Sequence, residues 1–305
     1  MPRSSSLSRA RARAAHLAVR AMRTLLGFLG LERASRLMGW CWRTAAPFTQ
    51  RHPRALQQIE ASIPDMSGAA REQVIRGMWD GLGQTFAEGL LLDRLLQEPE
   101  RITVADPALF ADLCDPQKTP RGVVYVSLHA GNWETLGIPM VQNGLRVAGL
   151  YQAVQNPYLE ADLLARRQAL YSAGMITKGS RAMARIVRIL KSGGAVAMLA
   201  DQREARRGIA VPFFGKQAPS TPLPATLALR TGARLVLARC RRVGAVRYAI
   251  DLREIEVSPT QDLAGDVERL TGTIQAQLEK WIRERPSEWM WAHRRWSRDV
   301  RRPRA

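Results

Sequence analysis

Apolar and polar positions divide the chain into a helical first part and a second part in which strands and helices alternate. In the stretch from Arg71 to Leu96, apolar residues recur every three or four positions, which predicts amphipathic helices. At Gly122 the pattern changes to short β-branched runs. The first of these, GVVYVSL at 122–128, is typical of a buried parallel strand.

The same alternation continues toward the end of the chain. Two segments, ARLVLARCRR and AVRYAIDLREIEV, have the pattern of a strand hairpin, whereas 203–220 is interpreted as a loop. The short connections favour an α/β fold with a mixed, largely parallel central sheet covered by helices. The other predicted segments are strands at 145–151 and 195–201 and helices at 156–174, 181–194, 221–233 and 267–285.

The first 50 residues have a different character. Residues 14–31 combine apolar side chains with interrupting arginines, and no run of 18 or more uncharged apolar residues occurs, so no transmembrane helix is predicted. An apolar face beside cations suits a helix lying in an anionic membrane interface, and Trp40 and Phe48 extend this character. An ordinary helix packed on the domain is the alternative.

These patterns predict two regions. Residues 1–50 form a basic, amphipathic membrane-associating segment, and residues 51–305 form a single α/β domain with a helical lead-in at 51–120. The hydrophobic content of 46% excludes a globally disordered chain. Cys41, Cys114 and Cys240 stand far apart, which excludes a disulfide framework and indicates a reducing compartment.

The net charge indicates which kinds of partner the protein binds. The 46 Lys and Arg exceed the 27 Asp and Glu by a formal +19, which favours an anionic lipid surface, nucleic acid or an acidic protein as a neighbour. The sequence has neither a clustered set of His, Cys and acidic ligands nor a glycine-rich phosphate loop after a strand. We therefore expect no metal and no cofactor.

The segment VVYVSLHAGNWET carries the candidate chemistry. His129 follows the buried strand, where open α/β sheets expose their sites, and Ala130 and Gly131 allow the backbone to turn. Glu134 comes five positions later, so its carboxylate is predicted to orient one imidazole nitrogen and leave the other as a general base. Such a dyad can deprotonate an alcohol for attack on a thioester. The alternative is a capping or core histidine beside an unrelated acid.

Further polar residues follow other strands. Asp201 ends a predicted strand at the same sheet edge as His129, and it is either a site residue or a turn cap. Gln202 and Arg203 follow directly. Lys178 and Arg181, in a TKGSR turn, are additional candidates for holding a phosphate or stabilising negative charge. Each basic residue also has the plainer role of facing solvent.

The C-terminal segment EWMWAHRRW contains a second histidine of interest. If this segment is helical, Trp289, His293 and Trp296 share one face. A second catalytic histidine and a packed aromatic cluster are both compatible with this pattern.

Four ordered blocks resemble the bacterial lipid A late acyltransferases, part of the His-x4-Asp/Glu acyltransferase group that includes the glycerol-phosphate acyltransferases. Two of them are an N-terminal helical region and the VSLHAGNWE block, and PSEWMWAHRRW is similar to the family's C-terminal box. The remaining block begins at LADQREARRG and contains Asp201, Gln202, Gly208, Pro212, Phe213, Phe214, Gly215, Thr221 and Pro222.

The resemblance implies an acyltransferase that adds a secondary fatty acyl chain to lipid A or its precursor. Acyl carrier protein would be the thioester donor, and the hydroxyl of a 3-hydroxyacyl chain would be the acceptor. By this analogy His129 removes the hydroxyl proton, Glu134 orients His129 and Asp201 is a site residue. The expected location is the cytoplasmic face of the bacterial inner membrane, in peripheral or monotopic association.

Two alternatives remain at this stage. The same dyad would serve an acyltransferase acting on another glycolipid or phospholipid, such as a phosphatidylinositol mannoside. The second alternative is a non-enzymatic basic protein that binds membranes or nucleic acid, and only the net charge supports it. We do not expect nucleic acid to be the partner, because the chain shows no recognisable nucleic-acid-binding motif and its basic residues are spread throughout.

Overall fold

A central seven-stranded sheet dominates the part of the chain that the computed structural model describes, residues 6–177, 179 and 181–296. The strand order is β1-β9-β8-β2-β5-β3-β4, and every neighbouring pair except the antiparallel β8–β9 hairpin is parallel. The predicted mixed, largely parallel α/β fold is therefore confirmed. The strands are β1 (Ile102–Val104), β2 (Val123–Ser127), β3 (Val147–Tyr151), β4 (Gly174–Thr177), β5 (Ala195–Leu199), β6 (Ile209–Phe213), β7 (Lys216–Ser220), β8 (Arg234–Gly244) and β9 (Arg247–Ile255).

Helices precede the sheet and connect its strands. Ser67 caps the longest helix of the lead-in, α4, by accepting a hydrogen bond from the Ala70 backbone nitrogen at 3.3 Å. The helices are α1 (Ser6–Leu29), α2 (Leu31–Ala45), α3 (Arg51–Ser62), α4 (Gly68–Leu90), α5 (Leu92–Leu95), α6 (Pro107–Cys114), α7 (Gly137–Gln142), α8 (Pro157–Arg167), α9 (Ala182–Lys191), α10 (Leu223–Thr231) and α11 (Leu263–Glu284).

Helices cover both faces of the sheet, and β2 is buried at every position. Val124 and Val126 belong to a core cluster with residues of α9, α10 and α11, whereas Val123 and Tyr125 pack in a separate cluster with residues of α6 and α7. Successive strand residues point to opposite faces, so a strand that is buried on both sides needs a continuous apolar run, which residues 123–126 supply.

The predicted loop at 203–220 contains a hairpin instead. Strands β6 and β7 form a separate two-stranded antiparallel ribbon joined at Phe214 and Gly215, whose φ angles of 52° and 68° are those of a tight hairpin turn. Pro212 and Pro219 lie in these strands. A ribbon without further strands tolerates proline, since fewer backbone N–H groups need a partner. The prolines also explain why the pattern indicated a loop.

The N-terminal helices are anchored to the domain on one side and exposed on the other. Leu26 and Leu31 are buried in a core cluster that includes residues of α4 and α5. Phe28 and Trp40 are exposed on the other side. None of the helices in the described part of the chain combines the length and apolar character that a membrane crossing requires.

Candidate active site

The sheet register brings the candidate chemistry together. Strands β2 and β5 are parallel neighbours in which Ser127 pairs with Leu199, and each strand is followed two residues later by a polar side chain. These residues are His129 and Asp201. Because the carboxyl ends of parallel strands meet at one sheet edge, the two side chains are adjacent although 72 positions separate them.

Asp201 holds His129 through both carboxylate oxygens. Its Oδ1 lies 2.8 Å from His129 Nδ1, and its Oδ2 accepts a hydrogen bond from the His129 backbone nitrogen at 2.9 Å. The indole nitrogen of Trp289 donates to the same Oδ2 at 2.8 Å. This arrangement fixes the proton of the neutral imidazole on Nδ1 and leaves Nε2 as the basic nitrogen.

The electrostatics keep this carboxylate ionised. Complete burial by itself would raise the pKa of Asp201, but the charge of His129 and the hydrogen bonds from His129 and Trp289 outweigh burial and lower the pKa to about 2. Asp201 therefore carries its negative charge at neutral pH. An imidazolium formed at His129 during a reaction would be stabilised by that charge.

The turn after His129 depends on glycine. Gly131 has a φ of 58°, and a Cβ at this position would collide with the Cys240 carbonyl oxygen of β8. The backbone nitrogen of Gly131 donates to the Glu288 carbonyl at 3.1 Å, and Met290 nitrogen donates to the His129 carbonyl at 3.0 Å. The C-terminal segment thus holds the turn through two backbone hydrogen bonds.

A buried carboxylate fixes the next part of the turn. Glu88 of α4 accepts a hydrogen bond from the Asn132 amide at 2.7 Å, from Ser35 of α2 at 2.6 Å and from the two Arg242 terminal nitrogens at 2.8 and 3.0 Å. The Tyr248 hydroxyl donates to Glu88 as well. Since the side chain of Glu88 is fully buried, these donors and the guanidinium compensate the cost of burying its charge.

The predicted contact between Glu134 and His129 is wrong in this structure. Glu134 lies in a short 3-10 helix, Trp133–Leu136, and its carboxylate pairs with the guanidinium of Arg167 at the end of α8, with Nε at 2.9 Å. Burial alone would lower the pKa of Arg167, but the charge of Glu134 outweighs it and raises the pKa. Glu134 is therefore adjacent to the site as a partner of Arg167, and the carboxylate on the imidazole is Asp201.

Of the other predicted site residues, one lies in the site and two do not contact its histidine or aspartate. Gln202 lies in the site, with its amide nitrogen 3.1 Å from His129 Nε2. Arg203 is exposed, and so is Arg181 at the start of α9. The hydrogen bonds and ion pairs of His129 and Asp201 described above involve neither arginine. Lys178 lies outside the described residues.

The C-terminal box is not a helix after residue 288, so Trp289, His293 and Trp296 do not share a helix face. A 3-10 turn at Pro286–Glu288 is followed by an extended residue, Trp289, which pairs with Ala130 as an isolated β-bridge. Trp289 packs with Phe213 and Phe214 at the β6–β7 turn, and Trp291 packs with Phe214 and Trp289. The Phe213 and Phe214 side chains are buried in this aromatic cluster, so they serve packing.

His293 nevertheless reaches the site from this segment. Its Nε2 lies 3.0 Å from the Gln202 amide nitrogen, and its ring centroid lies 5.7 Å from that of His129. Burial, followed by the charge of His129, lowers the pKa of His293, and Arg51 and Arg54 at the start of α3 contribute in the same direction. The C-terminal box therefore contributes two side chains to the site, Trp289 and His293.

Sequence reasoning missed Arg167 and Trp289 as neighbours of the site. Trp289 stood in a recognised block, but which atom its indole would contact depends on how the C-terminal segment crosses the sheet edge. Arg167 had no sequence signal beyond its position in an ordinary amphipathic helix. Within the described residues, no three His, Cys, Asp or Glu side chains gather as a metal-binding group.

Comparisons with known proteins place the chain in a family. The chain is 26% identical over 183 residues to a phosphatidylinositol mannoside acyltransferase of Mycolicibacterium smegmatis, covering 59% of this chain and 58% of the relative. It is 25% identical over 182 residues to the protein of that name from Mycobacterium tuberculosis, covering 59% of this chain and 56% of the relative. The chain thus spans less than three fifths of these relatives' lengths. The family model described as bacterial lipid A biosynthesis acyltransferase matches residues 1–298, and the chain therefore belongs to that family.

Proposed function

We propose that this protein is an acyltransferase that moves a fatty acyl chain from a thioester to a hydroxyl group of a membrane glycolipid. The observation that carries the proposal is the pairing of His129 Nδ1 with Asp201 at 2.8 Å. This contact leaves Nε2 as a base at the carboxyl edge of the sheet. Membership of the family supports the reaction class.

In this mechanism, His129 Nε2 takes the proton of the acceptor hydroxyl while the hydroxyl oxygen attacks the thioester carbonyl carbon. Asp201 stabilises the resulting imidazolium and keeps its ring in place. The tetrahedral intermediate then collapses, the carbon–sulfur bond breaks, and the leaving thiolate takes the proton from His129. No covalent link to the protein is needed, since the alcohol itself is the nucleophile.

The preferred acceptor is lipid A or its precursor, acylated on the hydroxyl of a 3-hydroxyacyl chain, with acyl carrier protein as the donor. The family description and the four ordered blocks support this choice. Arg51 and Arg54, which lie close enough to His293 to affect its titration, suit an acceptor that carries phosphate. A phosphatidylinositol mannoside is the second candidate acceptor, because the curated relatives carry that name.

The test is a transfer assay with the full chain in anionic phospholipid vesicles. Acyl carrier protein thioester would be supplied with a lipid A precursor in one reaction and a phosphatidylinositol mannoside in another, and mass spectrometry would report the acylated product. We expect acylation of the lipid A precursor and a loss of at least about 100-fold in His129→Ala, which lacks the base. Acylation of the mannoside alone would favour the second acceptor. Full activity in His129→Ala would contradict the mechanism.

We also propose that α1 and α2 attach the protein to the cytoplasmic face of the inner membrane as a peripheral or monotopic protein. Large apolar side chains project from these helices and the turn after them, with exposed fractions of 85% for Phe28, 53% for Trp40 and 90% for Phe48. Arg20 and Arg33 are exposed on the same pair of helices. Apolar side chains beside arginines favour an interface with anionic headgroups.

Vesicle sedimentation tests this surface. We expect the double variant Phe28→Glu/Trp40→Glu to bind anionic vesicles at least about tenfold more weakly than the parent, because two aromatic side chains no longer enter the acyl boundary. Leu263→Glu, at an exposed apolar residue that begins α11, is the matched control and should bind as the parent does. Equal binding by the double variant and the control would contradict this surface.

A further inference from the structure

A single amide nitrogen lies within hydrogen-bonding distance of two imidazoles in the site. Gln202 Nε2 is 3.1 Å from His129 Nε2 and 3.0 Å from His293 Nε2. The two histidines come from distant parts of the chain, one after β2 and the other from the C-terminal segment. Gln202 itself follows Asp201, so the residue that orients His129 and the one that caps it are consecutive.

The proton positions follow from Asp201. Its ionised carboxylate accepts a hydrogen bond from Nδ1–H of neutral His129, so His129 Nε2 bears a lone pair that can itself accept a hydrogen bond. The Gln202 amide group has two hydrogens, and the second lies within reach of His293 Nε2, which accepts it only while that imidazole is neutral. Burial and the neighbouring positive charges lower the pKa of His293, which favours this neutral form.

This bridge has a consequence for the reaction. The acceptor hydroxyl has to reach His129 Nε2 to lose its proton, and in the free protein the Gln202 amide occupies that position. When the hydroxyl displaces it, one N–H of Gln202 becomes free beside the attacking oxygen while the other is still held by His293. Since the thioester carbonyl must lie beside the attacking oxygen, such an N–H would be available to the carbonyl oxygen.

We propose that Gln202 donates this hydrogen bond to the thioester carbonyl oxygen as it becomes an oxyanion, and that His293 is the positioning residue that holds the Gln202 amide. The inference rests on the proposed acyl transfer. In the step concerned, the hydroxyl O–H bond breaks toward His129 Nε2, the new C–O bond forms, and the carbonyl electron pair moves to the oxygen that Gln202 contacts. The electron pair returns when the C–S bond breaks, and the thiolate leaves with the proton from His129.

Steady-state kinetics of full-length variants in vesicles test Gln202, with the acyl carrier protein thioester and the acceptor that the wild-type protein uses. We expect Gln202→Leu and the isosteric Gln202→Glu to lower kcat by about 100- to 1000-fold with KM changed by less than about threefold, as for the loss of one oxyanion donor. Gln117→Leu, in an exposed loop before β2, is the matched control and should keep the parent kcat. A Gln202→Leu enzyme whose kcat equals or exceeds that of the control would overturn the proposal.

Two variants of His293 separate its role as a hydrogen-bond acceptor from its protonation. We expect His293→Leu to lower kcat by about tenfold, and His293→Gln, whose carbonyl oxygen can still accept from the Gln202 amide, to restore it to within about threefold. A protonated His293 cannot accept a hydrogen bond from the Gln202 amide. The acid limb of log kcat against pH should therefore be steeper for the wild type than for His293→Gln, which lacks this titrating group.

Four charged groups affect the pKa of His293, and all four are kept in both proteins whose pH profiles are compared. They are His129, Asp201, Arg51 and Arg54. Equal acid limbs in the two proteins, or full activity in His293→Leu, would overturn the role of His293. His129→Ala separates this inference from the proposed function. If His129→Ala retains activity, the base itself is misassigned, whereas an inactive His129→Ala beside an active Gln202→Leu refutes only the role of Gln202.

Discussion

Glu134 and Asp201 are both buried carboxylates near the same imidazole, yet only Asp201 contacts it. Glu134 is five positions from His129 in the sequence and pairs with Arg167. Asp201 is 72 positions away and lies 2.8 Å from His129 Nδ1. The difference shows that register between neighbouring parallel strands, and not spacing along the chain, selects the carboxylate that orients the base.

The partners of the two acids also differ in kind. The guanidinium of Arg167 has a permanent charge and forms two contacts with Glu134, so it neutralises that carboxylate locally. Asp201 receives hydrogen bonds from neutral donors and from an imidazole whose charge changes during proton transfer. Only the second arrangement responds to a proton arriving at His129, which is the behaviour that an orienting carboxylate needs.

Replacing Asp201 by Asn should have the largest effect. The Asn amide has nearly the same shape, but it no longer stabilises an imidazolium and can hold the imidazole in the wrong tautomer, so we expect kcat to fall by about 1000- to 10,000-fold. Acyl transfer measured by mass spectrometry checks this. Asp251→Asn, which alters a carboxylate paired with Arg239 and Arg241 on the hairpin, controls for loss of charge alone. Comparable activity in both variants would remove Asp201 from the mechanism.

Replacing Glu134 by Gln tests the other half of the comparison. We expect the free energy of unfolding to fall by about 3 kcal/mol because the largely buried Arg167 loses the carboxylate with which it pairs, while kcat falls by about tenfold or less. Chemical denaturation and the transfer assay measure the two effects separately. Glu254→Gln, whose partner Arg234 is on the more exposed β8–β9 hairpin, should destabilise the protein much less.

The outcome for Glu134→Gln decides between two readings of the His-x4-Glu pattern. A catalytic loss as large as that of Asp201→Asn, without loss of stability, would mean that Glu134 acts on the reaction directly. A loss of stability with a modest catalytic effect would make the pair with Arg167 a brace for the short helix that follows the His129 turn.

The sequence was sufficient for the elements that have an uninterrupted pattern. The run at 122–128 predicted a strand that the structure places at Val123–Ser127, because a strand buried on both faces is marked by consecutive apolar residues. The helix predicted at 156–174 ends at Arg167, and Gly174 begins β4 instead of ending the helix. A glycine with positive φ is compatible with either role, so the pattern alone did not separate them.

The site was predictable only as far as the strand ends. His129 and Asp201 were both recognisable as polar residues after buried strands at one sheet edge. Their pairing depends on β2 lying next to β5 with Ser127 opposite Leu199, which no local pattern contains. The contacts of Glu134, Trp289 and His293 depend in the same way on how α8 and the C-terminal segment cross that edge.

Trp289→Phe should lower activity less than Asp201→Asn does, and it should have the smallest overall effect of the substitutions compared in this section. Losing the indole N–H removes one hydrogen bond to the ionised form of Asp201, which raises the pKa of that carboxyl from about 2. A rise from so low a value leaves Asp201 ionised at neutral pH. We therefore expect kcat to fall by about tenfold or less, because the carboxylate is less well oriented. The ratio of wild-type to variant kcat should stay constant between roughly pH 6 and 8.

The matched control is Trp291→Phe, because that indole belongs to the same buried aromatic cluster but donates to the Pro286 carbonyl at 2.7 Å. Both variants lose the same ring volume, so both should lower the melting temperature to a similar extent. Only Trp289→Phe should lower kcat beyond what that shared destabilisation explains. Equal kcat in the two variants would show that Asp201 is held well enough by His129 alone, and that the aromatic box contributes packing without orienting the carboxylate.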